Sequence, residues 1–310
     1  MHELQPLPAE LRSLIELAIR EDLGDFPSHK KSAARLDRTV ALSIPPDLAA
    51  TGKIVARAEG IISGTVLLPE ILPYYDHRLK SSILIHDGGA AVRGAVVAEI
   101  AGPAGALLSA ERVILNFMGH LSGIATLTGR YVQAAGQSLG QGGKPLICDT
   151  RKTTPGWRVL EKYAVRCGGG ANHRMGLFDG VMLKDNHLSA LRRQSGVQLS
   201  LADITRSIRS KLPANIPLWL EVDTLEQFQE ALPGGADIIL LDNMTAGQMR
   251  QAVAWRNAVN PARPLLEASG GVTLATIADI AATGVDRISV GALTHSAPCL
   301  DLAMDFIEDA

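Results

Sequence analysis

The sequence has few cysteines, few aromatic residues and no long apolar run, and each shortage argues against a class of protein. Cys148, Cys167 and Cys299 lie far apart and form no CxxC pair, so we expect reduced thiols and no cysteine-based metal or redox site. Aromatic residues make up 4% of the chain, which leaves little material for stacking on nucleic-acid bases. No apolar run approaches the roughly 18 to 20 residues that span a bilayer.

The chain also lacks an excess of charge of either sign. Thirty Lys and Arg residues against 32 Asp and Glu residues give a net charge of −2, so any site for anions must be local. Glu3, Glu10 and Glu16 occupy a segment that would be basic and then apolar in a signal peptide. We therefore expect a cytoplasmic protein that binds neither nucleic acid nor membrane.

The first third of the chain predicts a small α+β domain. Apolar residues recur at helical spacing over residues 8–19, with Gly24 placed to end the helix. The basic and polar stretch KKSAARLDR (30–38) predicts a mobile surface loop. The segments KIVARAEG (53–60), SSILIHDG (81–88) and GAVVAEIAG (94–102) alternate apolar and polar residues, as half-buried antiparallel strands do.

The remainder predicts an α/β domain. A helix over 107–135, with small residues at Gly119, Ser122 and Gly123, is interpreted as a bridge between two domains. After Gly143, six short apolar runs alternate with helical segments: PLICDTRK, DGVMLKDN, PLWLEVD, DIILLDN, PLLEASGG and RISVGA. A complete βα barrel has eight units, so we predict an open, incomplete barrel over 116–310, following an N-terminal domain over 1–115.

Charged residues and glycines follow the predicted strands. Because functional groups in such barrels sit at the carboxyl ends of the strands, we expect these residues to converge. The cations suit a ligand with several negative charges, and the carboxylates suit a divalent metal or sugar hydroxyls. Bare glycines let backbone amides approach a phosphate. The residues are Arg151, Lys152, Lys184, Glu221, Asp242, Ser269, Gly270, Gly271 and Gly291.

The segment GGGANHR (168–174) is a second concentration of chemistry. Three glycines cost backbone entropy that a plain connection need not spend, which indicates a close approach of ligand or chain near His173 and Arg174. We interpret His120 as structural and His86 as a surface residue.

Other polar residues receive structural interpretations. Asp185 and Asn186 follow a strand end where such residues commonly cap a helix. Thr224 with Gln227 fits a capping box, which leaves Glu226 and Glu230 on a solvated face.

Taken together, six segments resemble the quinolinate phosphoribosyltransferases, also called nicotinate-nucleotide pyrophosphorylases. They are ERVILNFMGHLSGIATLT, DTRKTTPGWRVLEKYAV, GGGANHRMGLFDGVMLKDNH, LEVD, LLDN and EASGGV, in the family's order and approximate spacing from about Glu59 to His295. The stretch EDLGDFPSHKKSAARLDR (21–38) departs from the family, which has a compact EDLG stretch and a Gly-Asp-Thr turn there.

The resemblance implies a type II phosphoribosyltransferase fold, with an N-terminal α/β sandwich domain and an open α/β barrel, assembled as a homodimer or larger. It implies transfer of phosphoribosyl from phosphoribosyl pyrophosphate to quinolinate with decarboxylation, in NAD biosynthesis, with Mg²⁺ as cofactor. Lys152, Lys184, Glu221 and Asp242 would be catalytic, and the two carboxylates would also address Mg²⁺, directly or through water.

The remaining roles also follow from the resemblance. The groups around quinolinate would be Arg112 from the partner subunit and Arg151, His173, Arg174 and Lys184. Phosphoribosyl pyrophosphate would lie against Lys152, Glu221, Asp242, Ser269, Gly270, Gly271, Gly291 and His295.

Three alternatives stay open at this point. One is a pyrophosphorylase-like relative associated with molybdate transport, although we expect that group to diverge at GGGANHR and LKDNH. Another is a phosphate-ligand sensor without activity, which should have lost Lys152, Lys184, Glu221 or Asp242. The third is a βα-barrel aldolase or lyase, because fold does not fix function.

Overall fold

The computed structural model of the chain describes residues 9–27, 32–136, 143–195, 199–260 and 262–307. The described residues divide into two compact units. Unit 1 draws its residues from 1–129, 153–169 and 293–310, and unit 2 draws its residues from 130–152 and 170–292. Each unit is therefore assembled from more than one stretch of chain.

Strands and helices are numbered in chain order. The strands are β1 (Ala49–Ala56), β2 (Gly60–Ile61), β3 (Lys80–Ile83), β4 (Ala90–Ala91), β5 (Val96–Pro103), β6 (Leu146–Cys148), β7 (Val181–Leu183), β8 (Leu218–Val222), β9 (Ile238–Asp242), β10 (Leu265–Ser269), β11 (Arg287–Ser289) and β12 (Leu302–Ile307). The helices are α1 (Ala9–Leu23), α2 (Ala33–Leu36), α3 (Arg38–Ser43), α4 (Leu68–Tyr75), α5 (Ala104–Gly136), α6 (Arg158–Cys167), α7 (Asp185–Ser195), α8 (Leu201–Arg209), α9 (Leu225–Ala231), α10 (Ala246–Val259), α11 (Ile277–Ala281) and α12 (Ala292–His295).

Unit 1 contains an antiparallel sheet in the order β12-β1-β5-β3. The three segments predicted to form antiparallel strands contribute β1, β3 and β5, which confirms their assignment. β12, from the end of the chain, pairs with β1 from Thr51 opposite Ile307 to Ala56 opposite Leu302. The predicted boundary after residue 115 stays a prediction, but this strand lies in the sheet of unit 1 and not in the barrel.

The predicted surface loop over 30–38 is wrong where the structure describes it, from residue 32 onward; Lys30 and Lys31 lie outside the described residues. α2 and α3 occupy most of this stretch. Asp37 caps α3 by accepting a hydrogen bond from the Val40 amide at 3.0 Å. Ala33 and Val40 are buried while Arg35 and Arg38 are exposed, so the basic residues mark the outer side of short helices.

α1 and α5 form as predicted. The Gly24 amide donates to the Arg20 carbonyl at a φ of 72°, which ends α1. In α5 the small residues admit a nearby chain segment: a Cβ on Gly123 would lie 2.0 Å from the Pro298 carbonyl oxygen. Residues 130–136 of α5 belong to unit 2.

Unit 2 is built on a parallel sheet in the order β6-β11-β10-β9-β8-β7. Each of the six predicted runs supplies one of these strands, which confirms the open βα barrel. Within the described residues β6 and β7 are the sheet's two edges and do not pair with each other. The runs are apolar because both faces of such strands are covered; Leu218, Leu220, Ile239 and Leu241 are all buried.

Two further observations concern the cysteines and the length of the helices. Cys148 and Cys167 are buried and Cys299 is exposed, all as free thiols, as predicted. Among the described residues, no helix combines the length and apolar character needed to cross a membrane.

Candidate functional site

The parallel sheet brings four predicted site residues to one edge, in two pairs that are offset by two residues. The residue before Lys184 pairs with the residue before Glu221, Glu221 pairs with Leu240, and Asp242, two residues further along β9, pairs directly with Ser269. Parallel strands run in one direction, so all four lie at the carboxyl edge of the sheet. We call Lys184, Glu221, Asp242 and Ser269 the strand-end row.

A salt bridge joins two members of the strand-end row. The Lys184 ammonium donates a hydrogen bond to Glu221 Oε2. The Lys184 side chain is 42% exposed and that of Glu221 only 14%, so the pair lies at an opening with the carboxylate on the inner side. The ammonium is held by its counter-ion while part of it remains open to an anionic ligand.

Asp242 ends β9 with a carboxylate that is only partly satisfied. Its Oδ2 accepts a hydrogen bond from Asn243 Nδ2 at 2.8 Å. Among the described residues no group of three His, Cys, Asp or Glu side chains could hold a metal ion. Asp242 and Glu221 nevertheless fit Mg²⁺, which is commonly held by one or two carboxylates together with substrate phosphates and water.

The turn after β10 requires glycine. Gly270 has a φ of 92°, and a Cβ on it would lie 2.1 Å from Asn243 Oδ1. Asn243 is itself at a φ of 53°, and its amide donates to the Ser269 carbonyl at 2.9 Å. Gly271 has a φ of 59° with open space where a Cβ would be. The backbone here is exposed and bare, as the predicted phosphate cradle requires; Gly291 lies after β11, directly before α12.

A buried carboxylate that the sequence reasoning missed holds the GGGANHR segment. Asp149, directly after β6, is fully buried. Its Oδ1 accepts from the His173 amide at 2.9 Å, and its Oδ2 accepts from Asn172 Nδ2 at 2.5 Å. Arg151 and Lys152 follow within three residues, so Asp149 couples the DTRK segment to His173 and Arg174.

His173 is buried, and both of its ring nitrogens contact other groups of unit 2. Nδ1 accepts a hydrogen bond from the Arg174 amide at 2.6 Å, so the ring proton is on Nε2. Nε2 lies 3.3 Å from Glu267 Oε1, and the ring stacks on Trp219 with centroids 4.7 Å apart. This arrangement differs from the direct quinolinate contact predicted for His173, a role that stays a prediction.

Arg174 and Arg151 are close enough to affect each other. Burial and the neighbouring Arg151 charge both lower the pKa of the Arg174 guanidinium. Nη1 of Arg174 donates to the Gly180 carbonyl at 2.8 Å. Two adjacent guanidinium groups repel each other, and a ligand with two carboxylates would relieve that repulsion. Arg174 also lines a cavity of about 500 Å³, together with His173, Trp219 and Arg287.

A second carboxylate missed by sequence reasoning is Glu267, fully buried in the middle of β10. Its oxygens accept from Trp219 Nε1 at 3.2 Å, from Arg287 Nε at 2.9 Å, from the Ser289 hydroxyl, and from His173. Burial alone would raise the pKa of Glu267, but the hydrogen bond from His173 and the Arg287 charge lower it to about 2. An acidic residue inside an apolar run is the signal that could have identified it.

Two predicted site residues, Arg112 and His295, belong to unit 1. Arg112 is exposed on α5 and lines a cavity of about 660 Å³ with His120, Thr154 and Trp157. His295 is exposed in α12, with Nδ1 2.6 Å from the Ser296 hydroxyl. The interpretation of His86 as a surface residue is confirmed.

His120 matches its structural interpretation. Its Nε2 lies 3.0 Å from Glu161 Oε1, and Glu161 is fully buried. The imidazole edge packs on Trp157, whose ring also stacks on Phe117 at 4.7 Å.

The helix caps differ in part from prediction. Asp185 and Asn186 are the first residues of α7, and the side chain that reaches back is His187, whose Nδ1 accepts from the Lys184 amide at 3.2 Å. Thr224 caps α9 as predicted. Glu230 was predicted to lie on a solvated face, but it is half-buried and its carboxylate accepts a hydrogen bond from the Leu201 amide at 2.9 Å.

Comparison with known proteins identifies the family to which these features belong. Residues 37–122 match the model of the quinolinate phosphoribosyl transferase N-terminal domain, and residues 124–305 match that of the C-terminal domain. An N-terminal sheet domain and an open parallel barrel with a strand-end site thus define the class of the protein, a phosphoribosyltransferase. The chain belongs to the quinolinate phosphoribosyltransferase family.

Individual relatives agree with this assignment. The chain is 43% identical over 253 residues to a Bacillus subtilis (strain 168) protein named as a probable nicotinate-nucleotide pyrophosphorylase (carboxylating), with 82% of each chain covered. It is 39% identical to the Mycobacterium leprae (strain TN) nicotinate-nucleotide pyrophosphorylase (carboxylating), covering 95% of this chain and 96% of that one. Among solved structures, NadC from Streptococcus pyogenes aligns with a TM-score of 0.84 at 33% identity, covering 99% of this chain and all of that one.

Proposed function

We propose that this chain transfers the phosphoribosyl group of phosphoribosyl pyrophosphate to the ring nitrogen of quinolinate, with loss of carbon dioxide. The products are nicotinate mononucleotide and pyrophosphate, a step of NAD biosynthesis. The observation that carries the proposal is the strand-end row, where the Lys184 and Glu221 salt bridge and the paired Asp242 and Ser269 lie at the carboxyl edge of one parallel sheet. Family membership supplies the reaction class.

The sugar phosphate would bind along the strand-end row. Glu221 and Asp242 would hold the ribose hydroxyls, and Ser269, Gly270, Gly271 and Gly291 would receive the 5′-phosphate. The positive φ and open backbone of the turn after β10 support this role for its two glycines. Departure of pyrophosphate creates an oxocarbenium-like sugar, so Lys152, Lys184 and His295 would stabilise the leaving polyanion by charge placed before the reaction.

The two carboxylates of quinolinate would be oriented by arginines. Arg151 and Arg174 both belong to unit 2, near enough for the Arg151 charge to lower the pKa of Arg174, and their planar guanidinium groups can each bind a carboxylate in bidentate fashion. Such orientation would bring the ring nitrogen in line with the anomeric carbon. After the N-glycosidic bond forms, the 2-carboxylate departs as carbon dioxide, the positive ring nitrogen stabilises the carbanion left behind, and that carbanion takes up a proton from water to give nicotinate mononucleotide.

Mg²⁺ would enter with the pyrophosphate group. Glu221 and Asp242 would hold it, directly or through water, and when bound the ion would offset negative charge on the phosphate oxygens. Mg²⁺ is commonly held by one or two carboxylates together with substrate phosphates and water, which suits these two residues.

We also propose a homodimer or larger assembly in which Arg112 serves the partner's site. Arg112 is exposed on α5, where a guanidinium is available to a second subunit. Because the Arg112 side chain is exposed, packing within its own subunit does not explain why an arginine occupies this position.

The salt bridge at Lys184 disfavours the aldolase or lyase alternative. A Schiff-base lysine must lose its proton to act as a nucleophile. Lys184 instead faces the Glu221 carboxylate, which stabilises its ammonium form.

The test is an assay of pyrophosphate release and nicotinate mononucleotide formation with quinolinate, phosphoribosyl pyrophosphate and Mg²⁺. We expect turnover with quinolinate and at least about 100-fold lower kcat/KM with nicotinate, because a monocarboxylate leaves one arginine of the site without a ligand carboxylate. Lys184→Gln should lower kcat about 100-fold through loss of a placed charge. Absence of turnover with quinolinate, or comparable turnover with nicotinate, would contradict the proposal.

A further inference from the structure

A buried polar cluster of unit 2 is centred on Glu267, a residue that was not assigned to substrate. Glu267, inside the barrel, receives hydrogen bonds from Trp219 and Arg287 on one oxygen and from Ser289 and His173 on the other. A carboxylate offers about four acceptor positions, so Glu267 is fully used. Since its own hydrogen bonds are satisfied, Glu267 has no capacity to bind a ligand and must act through its neighbours.

His173 is the neighbour that connects Glu267 to a residue outside this cluster. Its side chain is 6% exposed, and its own amide is held by Asp149 at 2.9 Å. One ring nitrogen donates to Glu267, and the other accepts from the Arg174 amide at 2.6 Å. The ring therefore links a buried carboxylate to the backbone of the next residue.

We propose that Glu267 and His173 are positioning residues: the carboxylate fixes the imidazole, and the imidazole fixes the backbone of Arg174 beside Arg151. This inference deepens the proposed function and rests on it, since Arg174 matters because it would bind a quinolinate carboxylate. His173 then sets the affinity for the dicarboxylate through the position of Arg174. The single-donor tautomer, with the proton on Nε2, is the form that this chain of contacts requires.

Two substitutions at His173 separate the contacts. His173→Ala removes both ring contacts, whereas the Asn side chain in His173→Asn can place an oxygen where Nδ1 was and keep the acceptor for the Arg174 amide. We expect KM for quinolinate to rise about tenfold in His173→Ala and to recover part of that loss in His173→Asn, which keeps the acceptor for the Arg174 amide but not the contact with Glu267. KM for phosphoribosyl pyrophosphate should change less than about twofold in both.

Glu267→Gln tests the carboxylate that holds the His173 ring. An amide nitrogen cannot accept hydrogen bonds, so at least one donor loses its partner and the imidazole is held less firmly. KM for quinolinate should again rise about tenfold, with the pH profile of kcat/KM unchanged in shape. The control is Glu230→Gln, which neutralises a half-buried carboxylate between α8 and α9 and should leave both KM values as in the wild type.

A readout without substrate separates this inference from the proposed function. Amide hydrogen exchange over residues 171–176 should be slow in the wild type, faster in His173→Ala and Glu267→Gln, and near the wild-type rate in His173→Asn. Wild-type protein that fails to turn over quinolinate but shows this exchange pattern would refute the function and leave the positioning role of the two residues standing.

Other results would overturn the inference itself. If His173→Asn were as impaired as His173→Ala and a limb of the pH profile near neutrality disappeared, His173 would act on the substrate directly. Equal rises in both KM values would indicate a general structural effect. Should His173→Ala not fold, the same criteria apply to His173→Asn and Glu267→Gln.

Discussion

Glu267 shows what a single buried charge requires. The side chain has no solvent contact, yet its pKa falls to about 2 from an ordinary value of 4.5. Burial alone would raise this pKa. The lowered value therefore results from His173, Arg287 and Ser289, which favour the ionised form of the carboxylate. A buried carboxylate is tolerated only with such partners, and removing one partner costs more than the pair contributes.

This lowered pKa predicts a pH-dependent stability. A depressed folded-state pKa stabilises the fold above the unfolded value of about 4.5, and that contribution is lost as the pH falls toward about 2. Glu267→Gln lacks the titration, so it should be less stable than the wild type at pH 6, with the difference shrinking at pH 4 and again at pH 3. Urea unfolding at these pH values measures it. A difference that stays constant across the range would show that the Glu267 charge does not carry the effect.

The sequence identified the cations of the site but not the acids that support them. Arg151 and Lys184 follow strands and Glu221 lies near the end of one, where a charged residue is noticeable against an apolar run. Asp149 and Glu267 belong to the same motifs, yet their partners lie on other strands or in the GGGANHR segment. Hydrogen bonds between residues more than 20 positions apart are set by the register of the sheet, which the sequence does not display.

At the scale of elements, the ends of β9 and β10 each carry an unusual backbone conformation. Asn243 and Gly270 both have positive φ values, and the Asn243 amide is bonded to the Ser269 carbonyl. β9 and β10 therefore end in contact with each other, and the bare Gly270 leaves room for the Asn243 side chain.

Gly270→Ala should be more damaging than the same change at a matched glycine. Gly235 has a φ of 77° with open space around it, so Gly235→Ala should cost about 1 kcal/mol from the left-handed backbone alone. At Gly270 the overlap with Asn243 should add about 1 to 3 kcal/mol and raise KM for phosphoribosyl pyrophosphate. Thermal unfolding and steady-state kinetics of both variants provide the comparison. Equal effects at the two sites would argue that the close packing against Asn243 has no functional weight.

Elements with a strong local pattern were predictable, and elements defined by distant partners were not. All six barrel strands were predicted, because parallel strands covered on both faces read as apolar runs between helices. The helices α2 and α3 were missed because they are only four and six residues long and carry exposed arginines. β12 had no local signal of its sheet, since its partner β1 lies some 250 residues earlier in the chain.

At the scale of the whole molecule, predicted site residues are distributed over both units. Arg112 and His295 belong to unit 1, while Arg151, Lys184, Glu221 and Asp242 belong to unit 2. Both units are discontinuous in sequence, so the chain cannot be cut between two halves without breaking one of them. A site that also draws an arginine from a second subunit would make activity depend on assembly.

The proposed sharing of Arg112 predicts complementation between two inactive variants. In a symmetric dimer of one Arg112→Ala subunit and one Lys152→Ala subunit, one site carries both substitutions and the other carries neither. Random mixing of equal amounts should therefore restore about a quarter of the wild-type sites. The two variants are unfolded together, refolded and assayed for pyrophosphate release, with each variant refolded alone as the control. Recovery near a quarter of wild-type activity supports a shared site, whereas a mixture that forms dimers and stays inactive would show that Arg112 serves its own subunit.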